Sequence, residues 1–202
     1  MCKVGILAYG SLIEEPGKEI EPIIVKRISG IETPFCIEFA RSSKKRDGAP
    51  TVVPVESGGA RVSATILVLK EDIPVETAQD LLWRRETRNE CTGKHYKKTT
   101  SPSPNSMIVE VLTNFCGVEK VIYTKLGPNI TYLTPEHLAE LAISSAKNEA
   151  GRKSTDGISY LISLKRQGIE TPLSPDYEQA ILKKTGAVSL EDALLRIRNE
   201  NL

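Results

Sequence analysis

Two short stretches carry residue types that could do chemistry. The first is Tyr9-Gly10-Ser11-Leu12, which follows the apolar run Val4-Gly-Ile-Leu-Ala8. Glycine takes backbone angles closed to other residues, so a strand ending there can turn sharply and present a row of N–H groups. Such a row can hold an oxyanion or a carboxylate. The second is Glu86, within Trp83-Arg-Arg-Glu86. Turning about 100° per residue puts Val75, Ala78, Leu82 and Glu86 on one helical stripe, with Glu76, Thr77, Asp80 and Arg84 opposite. The carboxylate then points the way the apolar face points. Desolvation of a carboxylate raises its pKa toward the range useful for proton transfer. A plainer reading stands beside each. Tyr-Gly-Ser can be only a turn, and Glu86 a helix-end carboxylate that reaches solvent or pairs with Arg85 or Arg88.

Positioning these residues requires a strand before the turn and a helix under the glutamate. Pro74 near the first turn, Glu76 soon after it, and the Ala and Leu that follow predict a helix over 75–88. Short apolar or β-branched runs separated by turn clusters predict strands over 3–9, 23–29, 35–40, 51–55, 61–69, 107–115 and 119–124. The polar, proline-bearing segment 91–106 reads as a surface loop. From Thr134 the period changes to that of helices. Thr134-Pro-Glu begins one that Gly151 stops, and others follow at about 156–167, 174–185 and 189–199. The expected fold is one α+β domain over 1–202. A mainly antiparallel, barrel-like sheet with one inserted helix fills 1–133, and C-terminal helices over 134–202 pack on it.

Composition narrows the function classes. Of 202 residues, 27 are basic and 26 acidic, so no overall charge draws the chain to nucleic acid or an anionic membrane. The run Arg41-Ser-Ser-Lys-Lys-Arg46 lacks interleaved aromatics and reads as a solvated loop. No apolar stretch approaches the roughly 18 residues that span a bilayer, and the first residues lack a signal-peptide pattern. Asn129-Ile-Thr131 matches a glycosylation acceptor, which has no bearing without secretion. Cys2, Cys36, Cys91 and Cys116 are scattered, as suits reduced thiols in the cytoplasm and not a zinc site. His95 and His137 lack metal-ligand neighbours, so neither a metal nor a cofactor is expected.

With Tyr9-Gly-Ser-Leu12 after a first strand and Trp83-Arg-Arg-Glu86 on a later helix, the chain resembles the γ-glutamylcyclotransferase-like family. Phe39-Ala-Arg-Ser-Ser-Lys-Lys-Arg-Asp-Gly-Ala-Pro-Thr51 is similar to the strand–loop–strand region of bacterial members. Ile158-Ser-Tyr-Leu161, Gly168-Ile-Glu-Thr-Pro-Leu173 and Tyr177-Glu178 are similar to their helical end. The resemblance implies a small mixed barrel with flanking helices, and release of 5-oxoproline from a small γ-glutamyl substrate. It also implies Tyr9, Gly10, Ser11 and Leu12 as the substrate-holding loop, Glu86 as general acid/base, and Tyr123 as a cavity-lining residue. His137, after Thr134-Pro-Glu, stands where some relatives carry an aromatic, so the pocket wall differs from theirs.

Cyclising a γ-glutamyl amide needs the substrate's own α-amine to attack its γ-carbonyl. Holding the two in ring geometry contributes on the order of 7–11 kcal/mol, and one carboxylate can move the protons. The alternative is a non-catalytic small-molecule-binding protein on the same scaffold, with Glu86 holding an amine. A structural protein, in which Tyr9-Gly-Ser is only a turn and Glu86 a core-edge ion pair with Arg85, is a further reading. A hydrolase using Ser11 or Cys91 ranks lower, because no histidine is positioned by a recognisable pattern to activate either nucleophile.

Overall fold

The computed structural model describes residues 3–103 and 105–200; Cys2 and Pro104 lie outside them. The strands are β1 (Val4–Ala8), β2 (Ile24–Glu32), β3 (Cys36–Ser43), β4 (Ala49–Val55), β5 (Ser63–Leu69), β6 (Ile108–Phe115) and β7 (Val118–Lys125). The α-helices are α1 (Ser11–Glu14), α2 (Val75–Thr87), α3 (Pro135–Lys147), α4 (Glu149–Arg152), α5 (Gly157–Arg166), α6 (Ser174–Thr185) and α7 (Leu190–Glu200). The fold is mixed α+β, with a mainly antiparallel sheet and flanking helices. The chain falls into two compact units, Met1–Pro34 with Val62–Leu126, and Phe35–Arg61 with Gly127–Leu202. The grouping does not follow chain order, since the β3–β4 hairpin belongs with the C-terminal helices.

The first unit carries a five-stranded sheet in the order β2-β5-β1-β7-β6. β1 runs antiparallel to β5, with Gly5 opposite Val68, and parallel to β7, with Gly5 opposite Val121. β6 and β7 form a hairpin in which Phe115 faces Val118. The expected barrel-like closure does not occur, and the sheet is open. Closing it would require its outer strands, β2 and β6, to find second partners, but β3 and β4 pair with each other as a separate two-stranded sheet. One face of the five-stranded sheet, with Val4, Ile6 and Ile122, packs against Ala78, Leu81 and Leu82 of α2. β1 is buried along its whole length, as its unbroken apolar run requires.

In the second unit, the starts of α3 and α5 are capped by side chains. Thr134 Oγ1 accepts from the His137 N–H at 3.3 Å, and Asp156 Oδ1 accepts from the Ile158 and Ser159 N–H groups at 2.9 Å. Gly157 permits a close approach, because a Cβ there would lie 2.9 Å from the Ala142 Cα and 3.1 Å from the Ala49 Cβ. The Phe39 ring meets Tyr177 edge-on at 5.1 Å, and the Arg46 guanidinium lies 4.5 Å over the Tyr160 ring. Glu38 is fully buried on β3. Its carboxylate accepts from the Phe39 N–H at 2.8 Å, the Thr171 hydroxyl and the Leu173 N–H at 3.3 Å. Burial pushes its pKa up, against those three donors. Asn129, the glycosylation match, spends its side chain on the Ser42 N–H and C=O at 2.7 and 3.2 Å. Among the described residues, no helix is long and apolar enough to cross a membrane.

Candidate active site

The site lies within the first unit, where the end of β1 meets the end of α2. β1 stops at Ala8, and Gly10 then adopts φ 63° and ψ −140°, a conformation that favours glycine. The chain winds at once into the single turn α1. Ile13 N–H donates to the Gly10 carbonyl at 3.1 Å and Glu15 N–H to the Ser11 carbonyl at 2.9 Å. The Ser11 and Leu12 N–H groups precede these bonds, so no carbonyl of α1 can receive them. Leu12 is buried in the core beside Ala8 and Leu82, which fixes the turn to the sheet. Tyr9 is half-buried.

Glu86 occupies the last turn of α2, which ends at Arg88 in the left-handed region, with Asn89 N–H donating to the Arg84 carbonyl at 2.8 Å. A carboxylate there opposes the helix dipole, at a cost of about 0.3–1 kcal/mol. Helix stability therefore does not account for the residue. The expected stripe is present. Ala78 and Leu82 are buried, Val75 is half-buried, and the Glu86 side chain is 21% exposed.

Arg85 joins the two motifs. Its Nη1 lies 2.5 Å from Glu86 Oε1, and its Nη2 donates to Ser11 Oγ at 3.4 Å. Nε and Nη2 also donate to the Glu15 carbonyl at 3.1 and 2.7 Å. One guanidinium thus touches the hydroxyl of the glycine turn, the end of α1 and the carboxylate of α2. The pairing with Arg85 is what the structural reading of Glu86 expects. The reach to Ser11 is not, since a helix-end ion pair has no need of the turn.

Neighbouring contacts hold this arrangement. Glu90 Oε1 accepts from the Lys18 N–H at 2.7 Å, and Gly17, at φ +99°, lies so close that a Cβ would sit 2.8 Å from Arg85 Cγ. Arg84, expected on the solvent side of α2, is instead buried. It makes two bonds of 2.9 Å to the Glu19 carboxylate and one of 2.8 Å to the Lys94 carbonyl. The reason is nonlocal: segments on both sides of α2 in the chain fold over its polar face. On that face Asp80 holds His95 Nδ1 at 2.6 Å and the Tyr96 N–H at 2.7 Å. The hydrogen bonds from Arg84 hold the Glu19 carboxyl below its ordinary pKa, although burial opposes them.

The other expected residues stand elsewhere. β7 alternates its faces, so Tyr123 lies on the side opposite Ile122 and hence opposite α2. It is paired across the ladder with Glu110, and burial, then that carboxylate, pushes its hydroxyl pKa up. His137 is in the second unit, on α3, with Nδ1 3.9 Å from Glu140 Oε2. Cys91 and Cys116 are exposed and Cys36 half-buried, all with free thiols. Among the described residues, no three or more His, Cys, Asp or Glu side chains gather as a metal site. The sequence signal missed was Arg85, whose place in Arg-Arg-Glu offered only a neighbouring charge. Neither a family model nor a curated protein matches the chain.

Proposed function

We propose that the protein is a γ-glutamylcyclotransferase-like enzyme, in which Glu86 moves protons and the Tyr9–Leu12 turn holds the substrate. The observation that carries this reading is the single Arg85 guanidinium lying 2.5 Å from Glu86 Oε1 and 3.4 Å from Ser11 Oγ, which sets the carboxylate beside the turn. The motif resemblance supplies the reaction class. The α-amine of a γ-glutamyl compound attacks its own γ-carbonyl, forming the lactam C–N bond while the C–N bond to the leaving amine breaks. Counted from ammonium to ammonium, two protons leave the attacking nitrogen and two reach the leaving nitrogen, so no water is consumed. Glu86 accepts from the first nitrogen and returns to the second, a role typically contributing about 10²–10⁴-fold. The N–H groups of Gly10, Ser11 and Leu12 receive the oxygen on which charge develops.

Incubation with γ-glutamyl-alanine, glutathione and γ-glutamyl amines, reading released 5-oxoproline, tests the reading. Glu86→Gln is nearly isosteric and keeps an oxygen for Arg85, but it cannot accept the amine proton. It is expected to abolish kcat while leaving the melting temperature close to that of the wild type. A Glu86→Gln protein with near wild-type kcat removes Glu86 from the chemistry. Tight binding of γ-glutamyl compounds without any 5-oxoproline establishes the binding-protein alternative.

A further inference from the structure

We infer that Arg85 is the receptor for the substrate's α-carboxylate, the Arg85–Glu86 pair opening to take an amino-acid zwitterion between them. The inference rests on the γ-glutamyl reading of the same site. It narrows that reading to substrates with both a free α-amine and a free α-carboxylate.

The guanidinium is already fixed by contacts that substrate need not disturb. The Glu15 carbonyl accepts from both Nε and Nη2, which clamps one edge of the planar head group. The remaining positions face Ser11 and Glu86. A guanidinium has five N–H donors, and among the described residues four bonds are made, to Glu15 twice, Ser11 once and Glu86 once, which leaves one donor of Nη1 beside Glu86. The Ser11 contact, at 3.4 Å, is beyond the usual N–H···O range and gives way readily to a carboxylate. A carboxylate accepts two parallel N–H bonds from such a fork, an arrangement a lysine cannot reproduce.

Charge balance favours the same exchange. The side chains of Arg85 and Glu86 are 14% and 21% exposed, so neither charge is well hydrated, and each needs an opposite partner. An α-amino acid carries an ammonium and a carboxylate on one carbon. Placed between the two side chains, its carboxylate takes Arg85 and its ammonium takes Glu86, so each protein charge keeps a partner. A molecule lacking either group replaces only one side of the Arg85–Glu86 pair. The geometry also serves the chemistry. With the carboxylate on Arg85, the α-nitrogen faces Glu86, and the γ-carbonyl is free to reach the turn N–H groups.

The test compares L-glutamine with L-glutamine α-amide by calorimetry, on the wild type, Arg85→Gln, Arg85→Lys and Glu86→Gln. The wild type is expected to bind L-glutamine about 100-fold more tightly than the α-amide. Arg85→Gln should abolish that preference, and Glu86→Gln should retain it. Should Arg85→Gln not fold, Arg85→Lys carries the test. It keeps the charge but loses the fork, and is expected to weaken L-glutamine binding while leaving the α-amide unchanged. Equal discrimination by the wild type and Arg85→Lys, or none by the wild type, overturns the assignment. Turnover separates this result from the fate of the cyclisation reading. An Arg85-dependent preference without 5-oxoproline from γ-glutamyl-alanine removes cyclisation and keeps Arg85. Equal 5-oxoproline from γ-glutamyl-alanine and from its glutamyl α-amide keeps cyclisation and removes Arg85.

Discussion

Arg85 and Ser11, 74 positions apart in the chain, meet Nη2 to Oγ at 3.4 Å, and the same guanidinium holds Glu86. The contact exists because β1 and α2 share one core. Ala8, Leu12 and Leu82 belong to one buried core, so the turn after β1 is brought to the helix that follows β5. Neither motif needs to be long to be placed, since Ser11 follows the buried Ala8 by three residues and Glu86 follows the buried Leu82 by four on the same helix.

Gly10 is the most sensitive backbone position of the turn. At φ 63° and ψ −140° it holds a conformation that a Cβ strains by on the order of 1–3 kcal/mol. Gly10→Ala is therefore expected to lower stability by that amount and to shift the Ser11 and Leu12 N–H groups. Cyclisation rates should fall far more than the melting temperature does. A fully active Gly10→Ala protein, checked by 5-oxoproline release, would show that the turn does not hold the reacting oxygen.

Arg84 tests the clamp beside the site. Arg84→Met leaves the Glu19 carboxylate without its two bonds and is expected to destabilise by about 3 kcal/mol. The sign of the pH effect follows from the direction of the Glu19 shift. Hydrogen bonding by Arg84 holds the folded pKa below its ordinary value. The stabilisation is thus present above the unfolded-state pKa and is lost as pH falls through the folded one. Chemical unfolding of the two proteins should show the gap closing on acidification. A gap that stays constant through the carboxylate range would remove the ion pair as its cause.

Glu38 should behave in the opposite sense. Its folded pKa is raised by burial, so its ionised form burdens the second unit at neutral pH, and that burden is relieved as pH falls through the raised pKa. Thr171→Val deletes one donor to the carboxylate and is expected to cost about 1–3 kcal/mol at neutral pH. The loss should shrink on acidification, beginning above the ordinary carboxylate range. A pH-independent loss measured by urea unfolding would assign it to packing instead.

Most elements were legible because their signals are local, but the helix expected to run to Gly151 ends at Lys147, and Gly151 lies within α4. The β-branched and apolar runs of β6 and β7, the Pro74 start of α2 and the Thr134 cap of α3 each act within a few residues. What the sequence could not show depends on distant partners. Nothing in Ile24–Glu32 or Ile108–Phe115 says that these strands end a sheet rather than close it. Arg84 reads as solvent-facing until Glu19 and Lys94 are seen to cover it. At the candidate site, Glu86 stands out in the sequence because a carboxylate on an apolar stripe is anomalous. Arg85 could not, because a charged residue beside the stripe is ordinary and its value lies in the reach to Ser11.

The α-amine is the part of the substrate that separates cyclisation from hydrolysis. If it is the nucleophile, blocking it removes the reaction altogether, because no other atom of the glutamyl group can close the five-membered ring. If water is the nucleophile, acylating the amine leaves the γ-carbonyl open to attack. γ-Glutamyl-alanine is therefore expected to yield 5-oxoproline and alanine, and its N-acetyl form neither. The polar partners that meet the amine would also be left unmatched by the acylated nitrogen, so binding should weaken together with turnover. The leaving amine carries no such constraint, and its replacement should alter rates less than the loss of the α-amine does. Chromatographic measurement of both products from the two compounds decides the matter. Alanine released equally from both, without 5-oxoproline from the acetylated one, would mean that Glu86 activates water and that the α-amine only helps binding.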